Sequence, residues 1–202
     1  MLASASPRRR ELLQAAGIEL TCLPVDVDED LRAFEVPEEA AVQLALRKAR
    51  AGRARWRARA VMTAADPTLV LGADTIVAVA RGSSWSLLGK PVDERDALGM
   101  LELLSGTRHM VATGVAVVRA SDGAERSAVQ RTFVTMREIA PAERASYVES
   151  GEWRDKAGGY AIQETADRFV LRLEEGGFDN VVGLPVALAL GLCAELGAAS
   201  PP

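Results

Sequence analysis

Residues 69–80 form a nearly unbroken apolar run, and within it, in Val70-Leu71-Gly72-Ala73-Asp74-Thr75-Ile76-Val77, stands one carboxylate. A run of this length and composition reads as a buried strand. Residues 81–84 supply a turn and residues 85–88 a returning strand. An unpaired carboxylate among such neighbours costs on the order of several kcal/mol, so Asp74 needs a metal, a cationic partner or a proton. A structural aspartate paired to an arginine and a catalytic or metal-binding aspartate fit this segment equally well.

The second constraint lies at the start of the chain, in Ser4-Ala5-Ser6-Pro7-Arg8-Arg9-Arg10. Ser6 is a good N-cap and Pro7 a good first helical residue, which marks a helix over residues 7–16 stopped by Gly17. A helix N-terminus is partially positive and normally attracts Asp or Glu. Arginines stacked there have the wrong sign unless an anion is expected, and a phosphate chain is the commonest such guest. For any single arginine a solvated surface face is the simpler reading.

The other signals alternate between helix and strand. Residues 18–25 read as a strand and Asp26-Val27-Asp28-Glu29-Asp30 as an acidic loop. A helix begins near Pro37, with Val42, Ala45, Leu46 and Ala49 on one apolar stripe. The arginine-rich stretch 53–59 reads as a solvated extension of it. A helix over 93–104, a long hairpin of strands 111–119 and 126–137 about Ser121-Asp122-Gly123, and a short helix over 141–150 come next. Short strands over 160–163 and 169–173 and a closing helix over 185–196 complete the pattern. Hairpin-linked and crossover-linked strands interleaved with helices imply an α/β domain with a mixed, twisted sheet and flanking helices.

Composition narrows the class. A chain of 202 residues suits one domain, here 1–202, or an elongated domain with two lobes. A net charge of −4 argues against a dedicated nucleic-acid binder. Cys22 and Cys193 make neither a disulfide framework nor a metal-ligand pattern, which points to a reducing, cytoplasmic setting. No signal segment is evident, and the apolar stretch 186–196 is too short to span a bilayer.

Six short strings, in order, carry a resemblance. Leu2-Ala3-Ser4-Ala5-Ser6-Pro7-Arg8-Arg9, Leu71-Gly72-Ala73-Asp74-Thr75 and Gly89-Lys90-Pro91 come first. Ser105-Gly106-Thr107-Arg108-His109 with Thr113-Gly114, then Asp155-Lys156-Ala157-Gly158-Gly159-Tyr160-Ala161-Ile162-Gln163, then Val181-Val182-Gly183-Leu184-Pro185 follow. Over nearly its whole length the chain resembles the Maf family of nucleoside triphosphate pyrophosphatases. The resemblance implies a fold similar to inosine triphosphate pyrophosphatases and hydrolysis of a nucleoside triphosphate to a monophosphate and pyrophosphate with a divalent metal, Mg²⁺ or Mn²⁺. By the same resemblance Ser6, Arg8 and Arg9 hold the phosphate chain, with Lys48, Thr75 and Lys90 beside it. Asp74 binds the metal and activates water, Glu29 is a second acidic participant and metal ligand, Lys156 sits near the phosphates and Gln163 meets the base edge. A homodimer free of nucleic acid and membrane is implied as well.

The stretch from Lys156 to Gln163 resembles the branch acting on dTTP and UTP. The branch preferring modified guanine carries Cys in place of Lys156 and Phe in place of Tyr160. A glutamine amide offers a donor and an acceptor to the O4 and N3–H edge shared by uracil and thymine, and does not separate the two. Glu164-Thr165-Ala166-Asp167 departs from the glycine-rich stretch expected there. His109, the one histidine, reads as structural. The alternative class is a nucleotide-binding regulator of cell division without turnover. Against it, a binding module needs the cations but has no use for Asp74 in an apolar strand.

Overall fold

The computed structural model describes residues 1–59 and 67–198. Its element order is α1 (Pro7–Ala15), α2 (Pro37–Arg57), β1 (Leu69–Arg81), β2 (Ser84–Leu88), α3 (Glu94–Leu104), β3 (Arg108–Arg119), β4 (Glu125–Met136), α4 (Pro141–Ser150), β5 (Val170–Glu174), α5 (Phe178–Val182) and α6 (Val186–Ala198). The strands form a five-stranded sheet in the order β2-β1-β3-β4-β5, each neighbouring pair antiparallel. Among the described residues parallel pairing is confined to Leu2, which bridges Leu71 on one side and Cys22 on the other.

Most boundaries follow local chemistry. Pro7, Pro37 and Pro141 each open a helix, and Asp93 caps α3 by accepting the Asp96 N–H. The strand expected over 18–25 is reduced to the single bridge at Cys22, with Leu2 N–H donating to Thr21 and Leu23 N–H to Leu2. One bridging residue offers that segment no ladder to extend. The strand expected over 160–163 is replaced by turns, for reasons given below, and the short helix α5 went unread because five residues carry no period. No helix among the described residues is long and apolar enough to cross a membrane.

The sheet is covered on both faces, which is why β1 and β3 read as apolar throughout and not as alternating. One face packs on α2, through Ala40, Ala41 and Leu44 against Ile76, Met110 and Ala112, and through Ala45 and Ala49 beside Ala116 and Val118. On the other face α6 covers Leu71, Ala73, Val115 and Val117, while α3, α4 and the 160–169 segment cover Val77, Val111 and Val134. The α2 contact is unusually close. A Cβ on Gly72 would lie 2.6 Å from the Ala49 nitrogen, and one on Gly114 would lie 2.5 Å from the Val42 nitrogen and nearer still to the Ala41 carbonyl. The helix therefore rests backbone to backbone on the two central strands.

Gly114→Ala should accordingly destabilise the protein by about 1–3 kcal/mol, the usual cost of overpacking. Gly99 in α3 has open space about its Cβ position, so Gly99→Ala should stabilise by up to about 1 kcal/mol through helix propensity. Urea denaturation of both variants measures this. Shifts of the same sign in the two would contradict the close seating of α2.

Candidate active site

The outer edge of β1 has two successive neighbours. Near its start Met1–Ala3 lies alongside, Leu71 N–H donating to Met1 and Ala3 N–H to Leu71. Near its end β2 takes over at Val77, paired with Leu88. Asp74 and Thr75 fall between, where the chain entering α1 and the chain leaving β2 diverge. A cavity of about 770 Å³ opens there, a size suited to a small molecule. All ten residues singled out in the sequence border it: Ser6, Arg8, Arg9, Glu29, Lys48, Asp74, Thr75, Lys90, Lys156 and Gln163.

Asp74 shares its strand face with Gly72, and the seating of α2 at that glycine delivers Lys48 to it. The partner of the buried aspartate is thus a lysine, not the arginine of the structural reading. The Lys48 ammonium hydrogen-bonds Asp74 Oδ1 and lies 2.6 Å from Glu29 Oε1, and Lys90 Nζ reaches Glu29 Oε2 at 3.1 Å. Lys48, a surface lysine by its local sequence, is 7% exposed. Burial pushes the Glu29 carboxyl up, but hydrogen bonding and charge from Lys48, then from Lys90, outweigh it and leave its pKa below the ordinary carboxylate value.

At the start of α1, Ser6 occupies the N-cap position in extended conformation, yet its hydroxyl makes no capping bond. Ser4 Oγ instead accepts the Ser6 N–H at 3.1 Å, which leaves the Ser6 hydroxyl free to face the cavity. Arg9 is buried and fixed three ways: Nε donates to Gly183 O at 2.8 Å, Nη2 to Thr75 Oγ1 at 3.2 Å and Nη1 to Ser4 Oγ at 3.5 Å. One N–H on each terminal nitrogen is left over. Burial lowers its pKa and Asp74 pulls the other way; a guanidinium remains charged. Arg8 donates to the Asp155 carbonyl at 3.3 Å, whereas Arg10 is exposed and does not border the cavity.

An apolar cluster, Val77, Val111, Tyr160 and Ile162 with Val182 against it, also lines the cavity. The backbone leading into Tyr160 cannot run as a strand, because Asp155, Gly158 and Gly159 all have positive φ. The segment is pinned from outside instead. Gly158 N–H donates to Gly89 at 2.9 Å and Ala161 N–H to the Tyr147 hydroxyl at 3.3 Å. His109 is fully buried, and burial pushes it down to about 4, so it is neutral at pH 7. Thr107 spends its proton on Leu104 O and can only accept from His109 Nδ1, which leaves Nε2 to accept the Tyr160 O–H at 2.9 Å. Lys156 is buried, 3.4 Å from Glu164, and Gln163 is exposed at the rim. Glu164, the residue that departs from the expected glycine-rich stretch, thereby acquires a partner.

Asp155, Arg154, Tyr160 and the α5 residues Val181 and Val182 also line the cavity and were not singled out as site residues. Asp155 and Tyr160 stand in the fifth of the six strings and Val181 and Val182 in the sixth, which is the available signal for them; Arg154 lies outside these strings. Among the described residues no three acidic, cysteine or histidine side chains cluster as a metal cage. Asp74 and Glu29, converging on one ammonium, are a donor set that fits Mg²⁺, which commonly takes one or two carboxylates and completes its shell with water and substrate phosphates. The cavity lining therefore combines cations and carboxylates with an apolar cluster, suited to a phosphate chain joined to a ring.

A family model described as Maf-like protein matches residues 1–196. A dTTP/UTP pyrophosphatase of Caulobacter vibrioides is 43% identical to the chain over 198 residues, covering 98% of this chain and 95% of its own. Proteins of the same description from Alkalilimnicola ehrlichii and Moorella thermoacetica are each 44% identical, covering 96% and 98% of this chain and 91% and 94% of theirs.

Lys48→Met should raise the pKa of Glu29, because it removes the larger of two lowering influences and leaves burial to act. Wild-type Glu29, held below its unfolded value, supports the fold above the ordinary carboxylate range and loses that support as the pH falls through its folded pKa. The variant should lose part of this pH dependence. Carboxyl ¹³C titration reads it directly, and an unmoved Glu29 would overturn the pairing.

Proposed function

The chain belongs to the Maf family, and on that premise we propose that it hydrolyses nucleoside triphosphates, dTTP and UTP foremost, to the monophosphate and pyrophosphate. The observation that carries this reading is the buried Asp74–Lys48 pair, joined by the exposed Glu29, in a cavity lined also by the arginines of α1 and an apolar cluster. The reaction is attack of a water oxygen on the α-phosphorus, with cleavage of the bond to the oxygen bridging the α- and β-phosphorus. The water proton passes to Asp74, and pyrophosphate leaves with the electron pair. Charge grows on the phosphate oxygens during this step, so stabilisation must come from fixed cations.

Each residue then has a chemical task. Arg8, Arg9 and the Ser6 hydroxyl hold the phosphate chain at the start of α1, where Arg9 keeps two N–H groups to offer. Lys90 and Lys156 add charge from two other elements. Lys48 hydrogen-bonds and orients Asp74 in an apolar strand, so that an acceptor for the water proton is held in place there. Asp74 and Glu29 would hold the divalent cation, which supplies charge neutralisation of the phosphates and polarisation of bound water. The base lies on the apolar cluster and Gln163 addresses its edge. We further propose a cytoplasmic homodimer acting on free nucleotides and not on nucleic acid or membranes; the net charge of −4 supports the first exclusion.

Asp74→Asn should lower the turnover of UTP by about 100-fold or more while nucleotide binding persists, since shape is kept and the proton acceptor lost. Pyrophosphate release and calorimetric binding measure the two separately. Near-wild-type turnover would refute the assignment. Across nucleotides, kcat/KM for dTTP and UTP should exceed that for CTP by roughly tenfold or more, since an amino group replaces the O4 acceptor. GTP or 7-methyl-GTP ahead of UTP would overturn the pyrimidine preference while leaving the pyrophosphatase reading intact.

A further inference from the structure

Arg9 is steered by a hydrogen-bond chain whose direction is fixed at residues outside the cavity lining. Thr113, in the middle of β3 and fully buried, pairs across the sheet with Thr75 on β1. Its Oγ1 lies 2.9 Å from the Asn180 carbonyl oxygen, which can only accept, so Thr113 must donate there. A hydroxyl has one proton. Facing Thr75 Oγ1 at 3.0 Å, Thr113 therefore accepts, and the proton of that bond belongs to Thr75. Thr75 is left with lone pairs only, and Arg9 Nη2 donates to one of them at 3.2 Å.

The far anchor is rigid. Asn180 is fully buried in α5, with Nδ2 donating to Val111 O at 3.1 Å and to Thr132 Oγ1 at 2.9 Å, so it is clamped to β3 and β4. Just beyond α5, Gly183 O accepts from Arg9 Nε at 2.8 Å. Two of the three constraints on the guanidinium thus originate in α5 and its exit turn, one directly and one through two threonines, the third being the bond to Ser4 Oγ.

We propose that Thr113 is a positioning residue for the phosphate end of the site: by taking the Thr75 proton it makes Thr75 an obligate acceptor that orients Arg9. It follows that Thr75, although it borders the cavity, acts through Arg9 and donates no hydrogen bond to a phosphate oxygen. The inference rests on the proposed role of Arg9 in holding the phosphate chain.

The test compares Thr113→Val, which keeps the shape and removes the relay, with Thr113→Ser, which keeps the hydroxyl. Calorimetric binding of inorganic pyrophosphate with Mg²⁺ probes the phosphate end without turnover, and KM and kcat for UTP are measured alongside. Thr113→Val should weaken pyrophosphate binding and raise KM by roughly three- to tenfold, the worth of a lost hydrogen bond, and Thr113→Ser should restore both. Thr75→Val should lose as much, and the double variant no more than Thr75→Val alone, because both act on one chain. Wild-type affinity in Thr113→Val, or additive losses in the double variant, would overturn the proposal, the latter by showing Thr75 to bind phosphate independently. Should Thr113→Val not fold, Thr113→Ala takes its place against Thr113→Ser with the same criteria. Failure of the wild type to hydrolyse UTP would count against the proposed function, while the pyrophosphate measurements would still decide the relay.

Discussion

The seating of α2 on the two central strands is the contact from which the rest of the site follows. At Gly72 and Gly114 the sheet presents backbone to the helix, and no side chain could stand between them. That approach lowers Lys48 onto the face of β1 that carries Asp74, and it lets Ala40, Ala41, Ala45 and Ala49, small residues all, close the interface. A bulkier helix surface would leave the lysine short of the carboxylate, and Asp74 would then be a buried charge without a partner.

Buried ion pairs are poor devices for stability, since desolvation consumes most of what attraction returns. The Asp74–Lys48–Glu29–Lys90 series is better understood as a way to hold a carboxylate in place in an apolar strand. It carries two acidic and two basic groups, so the pull on an incoming polyanion comes from the additional cations, Arg8 and Arg9, and from Lys156, which also pairs with Glu164. These arrive from α1 and from the turns after Asp155, two parts of the chain far apart in sequence that meet at the unpaired stretch of β1's edge. Arg8 links them, donating to the Asp155 carbonyl.

Much of the fold could be read from local chemistry. Proline at the first helical position, Asp93 as a cap, and the turn at Ser121-Asp122-Gly123 act within a few residues, and the helices and hairpin they announce stand where expected. The two missed strands share one cause. Residues 18–25 have strand-like composition but, among the described residues, bridge only to Leu2, and residues 160–163 follow glycines with positive φ that turn the chain away from the sheet. Whether an apolar stretch becomes a strand depends on a neighbour to pair with, which no local pattern reports.

The sequence by itself determined which residues carry charge, where helices start, and that one carboxylate must be answered inside an apolar strand, because these depend on residue type and near spacing. The ten residues that border one cavity were singled out by the family resemblance, since Lys48, Glu29 and Lys90 are unremarkable in their local sequence. Only the tertiary structure decided that Asp74 is answered by Lys48 and not by an arginine, that Ser4 rather than Ser6 makes the turn at the helix start, and that Arg9 is aimed by Thr75, Thr113 and Asn180. Those pairings, together with the bond from Arg9 to Gly183, join positions up to 174 residues apart. They exist because hydrogen bonds and ion pairs form at contact distance, and contact across a sheet or between layers is set by packing and register.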